Sequence, residues 1–164
     1  MDTTTLQERL TYKLFKYICD NNPDLLFQLE EERRVTSYLK EKIAGLTPMI
    51  SDHATEPEYI LEERSLLLLT GDLRPSRYNY ICRVLEEEFP ATHRKLIEAG
   101  TLKYEAVNII YHCAELFEAM HFSERNEESR LLYYAVAGSI SEYFDDALKS
   151  GERVEVWHTT AGKN

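Results

Sequence analysis

The chain has 164 residues, within the range of one domain, and at that length about 70% of the unfolded surface can be buried without covalent staples. Apolar residues are 43% of the sequence, enough to build a core, so the net charge of −10 is not the mark of a disordered chain. That charge works against duplex nucleic acid and anionic membranes, whose affinity rests on Lys and Arg, and leaves a basic protein partner or plain solubility as its meaning.

The N-terminal segment lacks a basic stretch followed by an apolar one, and no apolar run approaches the length of a membrane span. Cys19, Cys82 and Cys113 are odd in number, without CxxC spacing, and sit among apolar neighbours. Such thiols suit a reducing compartment, so the expected location is cytoplasmic.

Leu6, Leu10, Leu14, Tyr17 and Ile18 recur at helical spacing over 6–19, and Asp20 to Pro23 stops this first helix. A second helix is expected from about Glu30 to Ala44, closed by Gly45 in the C′ position, where a left-handed residue is usual. The stretch Thr47–Thr55, with Pro48, Ser51 and Asp52, reads as an irregular loop. Thr55-Glu-Pro-Glu58 then reads as a capped helix start. The third helix carries Leu66–Leu69, apolar nearly all round, which predicts a buried central helix.

Pro75-Ser76 opens a fourth helix with Tyr78, Ile81, Leu85 and Phe89 on one face, ended or kinked by Pro90. A short fifth runs from about Thr92 to Ala99 and closes at Gly100. The sixth, Leu102 to Met120, aligns Val107, Ile110, Ala114 and Phe117. The seventh, about Glu127 to Lys149, carries Leu131, Leu132, Val136, Ile140, Tyr143, Phe144 and Leu148. Its small residues around Gly138 suit the close approach of a neighbouring helix. The expectation is an all-α chain, a single compact domain of six or seven helices over 1–151. The tail 152–164 alternates as Val154, Glu155, Val156, Trp157, and suggests a short C-terminal strand.

Three segments together resemble a family of small helical proteins. They are Leu10-Thr-Tyr12 through Asn22-Pro23-Asp24, Thr70 to Tyr78 leading into Ile81, Leu85 and Phe89, and Leu132 to Ile140 running on to Tyr143. That family is a domain of unknown function from Bacteroides-type bacteria, often near mobile elements. The turn before the fourth helix departs from the pattern, with Arg74-Pro75-Ser76 in place of an aromatic-Ser pair. The resemblance implies an all-α fold and brings no activity.

Chemistry-bearing constellations are few. Glu118-x-x-His121, with Glu115 and His112 upstream, has the spacing of a di-metal carboxylate helix. Yet His121 continues the apolar stripe as a partly buried histidine, and His112 lies nine residues away on nearly the opposite face. Cys113 beside His112 diverges by about 100°, which is poor for a thiol–imidazole pair. Arg74, Arg77 and Arg83 with Tyr78 and Tyr80 could bind phosphate, but Glu86 to Glu88 follow directly and favour a solvated helix with local ion pairs.

No metal, cofactor or catalytic set is therefore expected. The best candidates for contact with a partner are Tyr133 and Tyr134, which are adjacent and cannot share one core face, and Trp157 in its polar tail. The leading expectation is a non-catalytic helical protein-interaction or regulatory module, with a protein partner that a basic surface would suit. The tail adds the expectation of a homodimer. The alternatives are a small enzyme or metal protein using the His112–His121 helix, and an acidic decoy for a basic nucleic-acid-handling protein.

Overall fold

The computed structural model describes residues 3–150. The secondary structure over this range is helical, as expected. In chain order the elements are α1 (Thr3–Asn21), α2 (Pro23–Glu31), α3 (Val35–Ala44), α4 (Thr47–Asp52), α5 (Glu58–Leu69), a 3-10 turn (Gly71–Leu73), α6 (Arg77–Glu88), α7 (Pro90–Ala99), α8 (Leu102–His112), α9 (Ala114–Ala119) and α10 (Arg130–Ser150). There are more helices than the six or seven expected. The suggested C-terminal strand and Trp157 lie outside the described residues. Among the described residues, no helix is long and apolar enough to cross a membrane.

Contacts group the chain into two compact units, one ending at Ser76 and the other starting at Arg77, where the sequence pattern marks no boundary. Each unit has its own apolar cluster. In the first unit α1 packs on α2, α3 and α5. Leu6, Leu10, Leu14 and Ile18 of α1 meet Leu39 and Ile43 of α3, Leu46 and Ile50 around α4, and Leu69 and Leu73. Arg9 pairs with Glu58 at 2.5 Å, and Lys13 pairs with Glu62, so α1 is tied to α5 outside the apolar stripe. The Lys13 ammonium, with Arg9 beside it, holds the Glu62 carboxyl below the usual carboxylate range.

Five local expectations in this unit are corrected. The segment before α3 is already helical as α2, with Pro23 at its start, where a missing N–H costs nothing. The supposed loop at Thr47–Thr55 contains α4, whose Pro48 stands in the first turn and whose Ile50 is buried. Gly45 is right-handed, at φ −64°, which feeds the chain directly into α4. Thr55 is not the cap of α5; Pro57 stands at that position, and no side chain caps it. The buried residues of α5 are Leu61, Ser65 and Leu69, while Leu67 and Leu68 are exposed, so it is not an all-round buried helix.

In the second unit α6 packs on α7, α8 and α10, and α10 also packs on α8. The cluster joins Tyr80, Ile81, Val84 and Leu85 of α6, Ala106, Ile109 and Ile110 of α8, Cys113, Phe117 of α9, and Leu132, Val136 and Ile140 of α10. Phe117 lies 4.9 Å from the ring of Phe122 and 6.0 Å from that of Tyr80, with the Arg77 guanidinium 5.1 Å from its centroid. Gly100 ends α7, as expected, and takes the left-handed conformation at φ 71°. Leu131 and Leu148 are exposed rather than on the core face of α10. A Cβ at Gly138 would meet open space, so that position does not serve close helix approach.

Two helix ends among the described residues carry a left-handed residue that is not glycine. After α9, His121 takes φ 54°, the Phe122 N–H donates to the Phe117 carbonyl at 2.9 Å, and the His121 N–H donates to Glu118 at 3.1 Å. This is a Schellman ending, and the Phe117–Phe122 ring contact is its apolar closure. Arg33, at φ 57°, ends α2 with the same bonds, Arg34 to Leu29 and Arg33 to Glu30. A left-handed non-glycine residue carries roughly 1–2 kcal/mol of strain, and glycine loses roughly 0.5–1 kcal/mol more chain entropy on folding. His121→Gly and Arg33→Gly are therefore each expected to stabilise the protein by a net 0.5–1 kcal/mol or so, read from urea denaturation. Unchanged or lower stability in both would refute this account of the two helix ends.

Candidate functional site

Most of the chemistry-bearing residues are dispersed by the fold. The helix expected over Leu102 to Met120 is interrupted at Cys113, whose φ of −91° and ψ of 4° close α8 and open α9. His112 therefore stands at the end of α8, Glu115 and Glu118 lie on α9, and His121 is past its end. All four are exposed, which corrects the expectation of a partly buried His121 on the stripe. Among the described residues, no group of three or more His, Cys, Asp or Glu could hold a metal ion.

Of the three thiols, Cys113 is buried, and Cys19 and Cys82 are partly buried. Cys113 is fully buried with its Sγ 3.4 Å from Ser139 Oγ, and burial pushes its thiol up. Burial likewise pushes Cys82 up to about 11. Neither environment generates thiolate at neutral pH. The His112 ring lies 5.5 Å from Tyr143, whose hydroxyl meets the buried Glu105 carboxylate at 2.7 Å.

The three arginines take three separate structural positions. Arg74 Nε and Nη2 donate to the carbonyls of Thr70 and Leu67 at the end of α5. Arg77 covers the Phe117 ring. Arg83 enters a cluster where polar, charged and aromatic groups meet around a recess.

That cluster is built by the start of α10 against the end of α6. Ser129 precedes α10, and its Oγ accepts the Leu132 N–H at 3.4 Å in the manner of an N-cap. The turn before it is held by Asn126, which donates to the Met120 carbonyl at 2.7 Å and accepts from the Ser123 N–H at 2.8 Å. With α10 started there, Leu132, Val136 and Ile140 at i, i+4 and i+8 enter the core. Tyr133, about 100° round the helix, is then half-buried, and Tyr134, about 200° round, is 64% exposed. On α6 the core claims Tyr80, Ile81, Val84 and Leu85, which leaves Arg83 and Glu87, one turn apart, on the facing edge.

The Tyr133 hydroxyl donates to Glu87 Oε2 at 2.6 Å and lies 3.1 Å from Glu88 Oε1. Burial first, and then these two carboxylates, push that hydroxyl well above the ordinary tyrosine value. The Arg83 guanidinium lies 5.1 Å from the Tyr80 ring and 5.8 Å from the Tyr133 ring. It also pairs with Glu128 at 3.1 Å and donates to the Glu127 carbonyl at 3.4 Å. The Tyr133 and Tyr134 rings meet edge to face at 5.6 Å. Arg83, Glu87, Glu88, Glu128, Arg130, Tyr133 and Tyr134 together line an open recess of about 410 Å³.

Tyr133 and Tyr134 are thus brought together with groups that the sequence reading assigned to a solvated helix. Arg83 does not pair with the adjacent Glu86 to Glu88 but with Glu128 across the recess. One feature of the sequence could have drawn notice to this edge. Three glutamates close α6, at the end where the helix dipole disfavours anions.

No protein-family model, no curated protein and no solved structure matches this chain.

Proposed function

We propose that the chain is a non-catalytic helical protein-interaction or regulatory module that acts in the cytoplasm through the Tyr133–Tyr134 edge of α10. The observation that carries this reading is the exposed apolar pair Leu131 and Tyr134, 74% and 64% accessible, one helical turn apart beside the recess. Exposed aromatic residues supply large contact area at small entropic cost, the composition typical of interface centres. The raised pKa of Cys82 and Cys113 and the exposed positions of His112 and His121 support binding rather than catalysis.

The test is affinity capture from native cells with the full chain and two variants. Tyr134→Ala is expected to lose the captured partner, because truncating an interface aromatic commonly costs about 2 kcal/mol or more. Tyr104→Ala, at an equally exposed tyrosine on α8, is expected to retain it. Retention by both variants would reject the α10 edge as the contact surface.

A further inference from the structure

We propose that the recess receives the charged end of one lysine or arginine from a basic segment of the partner, held between Glu87, Glu88 and the exposed ring of Tyr134. This rests on the interaction reading and names the chemistry of what binds.

The argument begins with the end of α6. Its last turn has no basic residue and closes with Glu86, Glu87 and Glu88, all exposed. The free carbonyls there add negative potential, so three carboxylates repel both the helix end and one another. A purely structural helix end would favour the opposite charge. Tyr133 offers one hydroxyl proton to two of these carboxylates, at 2.6 and 3.1 Å, which fixes them side by side and leaves lone pairs unsatisfied.

The recess has a cation of its own, but Arg83 is already engaged by Glu128, the Glu127 carbonyl and the two ring faces. Tyr134 adds an exposed aromatic ring, a surface that attracts cations through its quadrupole. The recess, open to solvent and of about 410 Å³, has room for a long basic side chain. Arg130 lines the recess too and repels a dense run of positive charge, so the site suits a single cation. Leu131, one turn from Tyr134, offers apolar contact for residues flanking it. The overall charge of −10 draws a basic segment toward the protein from a distance.

The experiment is an NMR titration of the isotope-labelled full chain with two capped peptides, Gly-Leu-Lys-Leu-Gly and its norleucine counterpart, which lacks only the charge. The lysine peptide is expected to shift amides within 83–88 and 129–135, and to bind about fivefold or more tighter than the norleucine peptide. Glu87→Gln combined with Glu88→Gln is expected to remove that preference. Glu115→Gln combined with Glu118→Gln makes the same charge change on exposed residues of α9 and is expected to keep it. Equal weakening in the two double variants would reduce the effect to bulk charge and overturn the proposal. Equal binding of both peptides at these amides, lost in Tyr134→Ala, would overturn the cation proposal while leaving the interaction reading standing. No shift at these amides with either peptide would count against both.

Discussion

Phe117→Ala is expected to remove about 3–5 kcal/mol of stability, the range for a fully buried phenylalanine whose cavity cannot collapse. The ring has no exposed surface and is fixed on several sides at once, by Tyr80, by Phe122 and by the Arg77 guanidinium. Its loss also removes the apolar closure of the turn that ends α9, so His121 would hold its left-handed conformation with less support. Domains of this size have a total stability of about 5–15 kcal/mol, so a loss of this order is a large share of the whole. Guanidinium denaturation measures it, and hydrogen exchange should locate the lost protection in α6, α8 and α10, which share that cluster. A change below about 1 kcal/mol would mean that the ring is not a packed centre of the second unit.

The apolar stripes were legible because a helix facing one core repeats at 3.6 residues. Leu6, Leu10, Leu14 and Ile18 are all buried, as are Val107, Ile110 and Phe117. The interruptions were not. Arg33 and His121 carry the left-handed turns that glycine usually marks, and Cys113 interrupts the sixth expected helix with no proline or glycine nearby. Backbone geometry imposed by packing leaves no mark in composition at such positions. The boundary at Ser76 was silent for the same reason, since a proline before a helix punctuates a domain and a domain boundary alike.

The candidate site was half legible. Adjacent Tyr133 and Tyr134 cannot both face one core, and that geometric argument needs only the helix pitch. What they meet depends on which residues of α6 the core leaves free. Arg83 and Glu87 share an edge because Tyr80, Ile81, Val84 and Leu85 are taken inward. The ion pair between Arg83 and Glu128 spans 45 positions, a distance at which local charge patterning says nothing. Trp157, the third candidate for contact, lies outside the described residues.

Along α5 the same reasoning gives a contrast among its leucines. Leu61 is fully buried, Leu69 nearly so, and Leu67 and Leu68 are each 56% exposed. Leu61→Ala is therefore expected to cost about 2–5 kcal/mol, from lost transfer energy and the cavity left behind. Leu67→Ala and Leu68→Ala delete the same atoms from a largely hydrated surface, where substitutions usually stay within about 0.5 kcal/mol. The helix propensity of alanine slightly exceeds that of leucine and offsets part of even that loss. Chemical denaturation of the three variants, with an unchanged m-value as the check on the unfolded state, measures the contrast. A large cost at Leu67 or Leu68 would mean that this face is covered in solution, whereas a small cost at Leu61 would contradict its burial in the first unit. The run Leu66–Leu69 has no phase of its own, so the order of these three losses is set by how α1 and α5 pack, with Arg9 on Glu58 and Lys13 on Glu62 holding the register.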